Sequence, residues 1–107
     1  MDAQPIGTKF FSSQVTAKVV QVISPAENPT GIVIRTANFV GTQYSTLATG
    51  TTPITNVGDT TKPVVLASVA AAYTSLQFPL TLPAGFGLWI GTDSGASSLF
   101  MTYDLLP

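Results

Sequence analysis

The chain has 107 residues, of which only 8% are charged, with a formal net charge of −1 at pH 7 and neither His nor Cys. These absences remove the commonest general base and metal ligand and the strongest intrinsic nucleophile, so the composition argues for a non-enzymatic protein without a cofactor or metal. The four basic residues, Lys9, Lys18, Arg35 and Lys62, are scattered and give no dense footprint for nucleic acid.

The longest apolar stretch, Val64 to Tyr73, is interrupted by Ser68 and is about half the ~20 residues of a membrane-spanning helix. No membrane association is expected. The opening Met1-Asp2-Ala3-Gln4-Pro5 is polar and acidic where a secretory signal would be basic and then apolar. An ordinary soluble domain carries roughly 25% charged residues; here Thr, Ser, Gly, Asn and Gln must supply most of the surface. The chain is 45% hydrophobic, with a mean hydropathy of +0.40. A domain of this size buries only about two-thirds of the surface its unfolded chain exposes. The expected cover for the remaining apolar area is another protein chain, a homo-oligomeric neighbour first of all.

Sixteen Thr, ten Val and six Ile make almost a third of the residues. This β-branched excess, punctuated by Pro and Gly, predicts an all-β fold. Residues 1–13, with Pro5, Gly7, a Ser pair and Phe10-Phe11, read as an extended N-terminal arm that docks on a neighbour through its aromatic pair. The single domain would then be 14–107. Strands are predicted over Val15–Ile23 and Gly31–Val40, separated by Ser24–Thr30, whose two prolines oppose regular structure. In the second strand both faces carry apolar residues, as in a sheet packed on both sides.

Gly41–Lys62 is rich in Thr, Gly and Asn and predicts a short strand near Gln43–Ala48 and then a long loop. Val64–Tyr73 begins as a strand, but Ala70-Ala71-Ala72 also suits a helical turn. From Thr74 to Leu82, apolar Leu76, Phe78, Leu80 and Leu82 alternate with polar or proline positions, giving one strand with a core face. Pro79 cannot donate to a ladder and places this strand at an edge or bulge. After the turn Pro83-Ala84-Gly85, Phe86, Leu88 and Ile90 alternate with Gly87, Trp89 and Gly91. Beyond Asp93–Ser97, Leu99, Met101, Tyr103 and Leu105 alternate with Phe100, Thr102 and Asp104. The two runs read as a hairpin.

Few residues suggest chemistry. Asp93-Ser94-Gly95 resembles the surroundings of a serine nucleophile, yet without a His it reads as a turn. Asp59, Asp93 and Asp104 form no dense oxygen-ligand pattern of the calcium-loop kind. Trp89, between Gly87 and Gly91, has room to lie flat on its sheet or to receive another chain. It could be a core residue, an interface anchor, or, with Tyr44, Tyr73 and Tyr103, part of a carbohydrate platform.

The segment Leu82-Pro83-Ala84-Gly85-Phe86-Gly87-Leu88-Trp89-Ile90, with its loop and Leu99–Leu106, resembles the closing hairpin of small β-sandwich structural proteins of tailed bacteriophages. The stretch from Lys18 to Thr36 fits the same family. The resemblance implies a single-domain antiparallel β-sandwich, jelly-roll-like, located in the virion. It implies a capsid decoration or cement protein or a head-fibre component, often trimeric, whose partners are its own copies and the major capsid protein or another virion protein. Phe10, Phe11, Arg35, Tyr44 and Trp89 are the interface candidates. A carbohydrate- or receptor-binding module of a tail or fibre is the alternative expectation.

Overall fold

The structure is a computed structural model that describes residues 6–15, 18–41, 43–56, 61–68, 72–92 and 96–107. Nine strands carry the fold: β1 (Lys9–Val15), β2 (Val19–Ile23), β3 (Ile32–Gly41), β4 (Ser45–Gly50), β5 (Val64–Ser68), β6 (Thr74–Ser75), β7 (Leu80–Leu82), β8 (Gly87–Thr92) and β9 (Ser97–Leu105). The expected all-β class holds. The first sheet runs β1-β9-β3, with β6 and β7 both pairing the free side of β3, and the second runs β2-β8-β4-β5.

Every pairing is antiparallel, and the pairs are nested: β1 with β9, β2 with β8, β3 with β6 and β7, β4 with β5. One long ribbon is thus folded over on itself and closed into two layers by β3–β9 and β4–β8 pairing. With β6 and β7 taken as halves of one interrupted strand, this is the jelly-roll order of a double Greek key. Only β4 and β5 follow each other within one sheet; the other connections between successive full strands cross between layers.

The layers meet over one apolar interior. Ile32, Ile34, Ala37, Phe39, Leu99 and Met101 from the first sheet pack on Leu47, Leu66, Leu88 and Ile90 from the second. Each buried branched side chain contributes about 1.5–3 kcal/mol of transfer free energy, offset by the entropy of ordering it.

Four expectations are corrected. The arm predicted over 1–13 is, from Lys9 onward, the edge strand β1, paired residue by residue with β9. Gly7 and Thr8 are bound to β9 through Thr102 and Asp104, so the domain reaches back at least to residue 7. Phe11 points inward onto the core; residues 1–5 lie outside the described residues.

The single strand predicted over Val15–Ile23 is two strands in different sheets. A period of two marks an inward face in each part, Phe11 in β1 and Val20 and Val22 in β2, without saying that both parts belong to one sheet. For the same reason the predicted terminal hairpin is not one: β8 pairs β2 and β4, whereas β9 pairs β1 and β3. Finally, Thr74–Leu82 is interrupted between β6 and β7. Pro79 falls in that gap at the sheet edge, as expected, and the interruption leaves Phe78 78% exposed instead of in the core.

Two local devices close one end of the sandwich. Residues Pro25–Glu27 form a single 3-10 turn, and the Glu27 carboxylate accepts from the Ser24 N–H at 2.9 Å. Asn28, wholly buried, donates from Nδ2 to the Pro83 and Phe86 carbonyls at 2.8 and 3.0 Å and accepts from Gly31 N–H at 2.7 Å. Gly31 sits at φ +112°, a conformation that L side chains rarely adopt. At the opposite end Ser45, Ser68, Thr92 and Ser97 are buried in place of aliphatic residues.

Candidate functional site: an uncharged edge and an aromatic face

Trp89 is the first candidate to settle. It projects from β8 away from the main interior, yet is only 1% exposed, because Ala48, Val19 and Ile54 pack around it. Ile54 comes from the segment that follows β4 and packs back on the outer surface of the second sheet. The glycine-flanked position does accommodate the ring lying along the strand: a Cβ on Gly87 would sit 2.7 Å from Trp89 Cη2. The covering is intramolecular, which corrects the expectation of Trp89 as an interface anchor. The carbohydrate platform is not assembled either, since Tyr103 packs on the main core while Tyr44 and Tyr73 stand on separate loops.

Arg35 is likewise engaged. At the irregularity in the β3–β9 pairing its Nε donates to Asp104 Oδ2 at 3.3 Å. Asp104 Oδ1 accepts from the Thr8 hydroxyl at 2.6 Å and the Thr8 N–H at 2.8 Å. These Thr8 hydrogen bonds, reinforced by Arg35, hold the Asp104 carboxyl below its ordinary value of 3.8. The Ser24 N–H does the same for Glu27, and burial raises the Tyr103 phenol. The cluster fastens β1, β3 and β9 together.

Of the five candidates, Phe10 and Tyr44 remain exposed, at 73% and 42%. Phe10 lies opposite Thr102 and Phe100 lies opposite Ser12, so the two rings are diagonal neighbours on the outer face of the first sheet. Such neighbours are ~7–8 Å apart at Cα, within reach of each other for aromatic side chains. Phe100 is 47% exposed. Around them stand Ser12, Thr36, Asn38 and Thr102, with Asp104, paired to Arg35, as the other diagonal neighbour of Phe10; Thr36 and Thr102 share a 2.8 Å hydroxyl hydrogen bond. The alternation of β9 already assigns Phe100 to the face opposite Leu99 and Met101; its pairing with Phe10 depends on β1 register.

The second feature is an edge. From Pro63 to Thr92 the chain contains no charged residue, and this span supplies β5, β6 and β7, the edge strands on one side of both sheets. The layers are joined there by Thr74 Oγ1 donating to the Ala67 carbonyl at 2.8 Å. Elsewhere they part to leave a groove of about 320 Å³ lined by Val64, Val65, Leu76, Leu80, Thr81 and Phe86 among others. Exposed Val64, Tyr73 and Phe78 lie on the same edge segments.

Natural sheets guard their edges with Lys, bulges or covering loops. The opposite side follows that rule, with Lys9 in β1, Lys18 just before β2 and a bulge between Gln21 and Ile23. On the β5–β7 side the strands themselves carry no charge, and Lys62, two residues before β5, donates to the Thr52 hydroxyl.

Among the described residues, buried hydroxyls collect at the end of the sandwich formed by Ser45, Ser68 and Thr92. Ser45 Oγ lies 2.9 Å from Thr92 Oγ1 and 3.2 Å from the Gln43 carbonyl. Ser68 Oγ accepts from Gly41 N–H and donates to the Ala72 carbonyl. These partners are hydroxyls and backbone groups, which cannot activate a serine. Among the described residues no group of three or more His, Cys, Asp or Glu could hold a metal ion, and no helix is long and apolar enough to cross a membrane. Asp59 and Asp93-Ser94-Gly95 lie outside the described residues.

The strand order and the interior define a jelly-roll β-sandwich. Compared with family models, curated proteins and solved structures, the chain finds no match.

Proposed function

We propose that this chain is a non-catalytic structural protein of a virion, a capsid decoration or cement protein or a head-fibre component, that acts by packing against other protein chains. The observation that carries the reading is the charge-free β5–β7 edge with its apolar groove and exposed Val64, Tyr73 and Phe78. An unguarded apolar edge on a small domain is a liability unless a partner covers it. The jelly-roll order and the resemblance of the closing segment to small tailed-phage structural proteins supply the setting. The carbohydrate alternative loses its anchor with Trp89 buried.

Two measurements test the two halves of the proposal. Sedimentation of the purified protein across the micromolar range should show an oligomer or, with other virion proteins added, a complex, and Phe78→Asp should weaken it without changing the circular dichroism spectrum. An antibody to the protein should label virions of the phage that encodes it; unlabelled virions remove the virion assignment. A lone monomer that binds no virion protein removes the packing role.

A further inference from the structure

The molecule carries two apolar features on differently oriented surfaces: a raised Phe10–Phe100 pair on the outer face of the first sheet, flanked by the Arg35–Asp104 ion pair, and a recessed groove along the β5–β7 edge. We propose that these are the two halves of one contact, with the aromatic pair of one copy seating against the groove edge of the next copy of the same chain. The inference rests on the packing role above and specifies its partner and geometry.

Three observations select a second copy as the occupant. The residues lining the groove are uncharged, and on the aromatic face Asp104, the other diagonal neighbour of Phe10, is paired with Arg35, so an apolar partner such as the chain's own surface meets no unpaired carboxylate there. The net charge of −1 gives two copies almost no mutual repulsion. A groove of about 320 Å³ is at the small end for a ligand pocket, roughly 300–1,000 Å³, and its lining offers apolar surface and threonines without a charged group to orient a polar ligand.

The exposed aromatic surface, when wholly covered, reaches the size of a specific contact. Large aromatic side chains present about 150–250 Å² each. At their observed exposures Phe10 and Phe100 on one side, with Tyr73, Phe78 and Val64 on the other, bring about 600 Å² of apolar surface to the contact. Since interfaces are roughly 57% non-polar, that corresponds to about 1,000 Å² in total, the threshold for a specific interface.

Because the two surfaces differ, the contact is head-to-tail. Each copy keeps a free half after binding, and repetition gives a closed ring or a filament instead of a two-fold dimer.

Complementary variants test this. The face variant is Phe10→Asp with Phe100→Asp; the edge variant is Val64→Asp with Thr81→Asp, all at positions exposed to solvent. Circular dichroism and the emission of Trp89, buried on the other sheet, verify that each is folded. Each variant alone should associate about 100-fold more weakly than the parent, as loss of central aromatic anchors implies, and sediment as a monomer. An equimolar mixture should form a species of two chains and no larger, because each variant retains the half the other lacks.

A mixture that stays monomeric, or a variant that keeps the parent's mass, overturns the proposal. A parent that is monomeric yet binds another virion protein overturns it while leaving the packing role intact; a parent that is monomeric and binds none overturns both.

Discussion

The outer surfaces of the two sheets solve the same problem in opposite ways. On the second sheet the chain covers itself: the β4–β5 connection brings Ile54 down on Trp89, leaving the largest side chain in the protein 1% exposed. On the first sheet Phe10 and Phe100 lie diagonally on paired strands and stay open, at 73% and 47%. An outward aromatic on a strand is therefore not in itself a sign of an interface. What decides is whether a connection long enough to fold back lies beside it. The segment after β4 supplies Ile54 over the second sheet, whereas among the described residues no comparable segment covers Phe100 on β9, which stays 47% exposed.

The sealed side should respond most to mutation. Trp89→Ala removes the centre of the outer cluster and should cost ~3–5 kcal/mol of fold stability through the cavity left, read by denaturant unfolding. A loss under 1 kcal/mol would mean that the indole is not packed as described. Ile54→Ala should cost about 2 kcal/mol, at the low end for such truncations because a surface connection can settle into the space. As Trp89 is the only tryptophan, its emission should shift to the red; an unchanged spectrum would show that something other than Ile54 covers it.

The open side should respond to pH and to solvent more gently. Asp104 and Glu27 have carboxyls held below their ordinary values. Each therefore adds stability that is full above its unfolded pKa and is lost as pH falls through its lower folded pKa. For Asp104→Asn the melting temperature should fall less steeply below its ordinary value of 3.8 than in the parent. Parallel curves would contradict the assignment. The smallest effect belongs to the open aromatics: Phe100→Ser, measured at a concentration where the chain is monomeric, should shift stability by no more than ~0.5 kcal/mol, as for surface positions generally. A loss of 2 kcal/mol or more would show that Phe100 is buried within its own domain.

The sequence by itself determined the all-β class, the inward positions of β8 and β9, the edge position of Pro79 and the room beside Trp89. Each follows from local chemistry: β-branching, a period of two, a missing N–H, a missing Cβ. It also carried the charge-free run from Pro63 to Thr92, visible as soon as Lys62 and Asp93 are seen to bracket it. In β3 strict alternation split Ile32 and Ile34 from Ala37 and Phe39, and the irregularity between Ile34 and Thr36 instead turns all four to one interior. Which sheet each strand joins was decided only by the tertiary structure, because alternation marks an inward face without naming the partner strand. That is why the β8–β9 hairpin and the N-terminal arm were misread, and why Phe11 proved to be core while Phe10 did not. The buried Asn28 was equally hidden, since its hydrogen bonds run to Pro83 and Phe86, 55 and 58 residues away. Sequence neighbours fix the direction a side chain points from its strand; only the folding of the whole ribbon decides what it meets there.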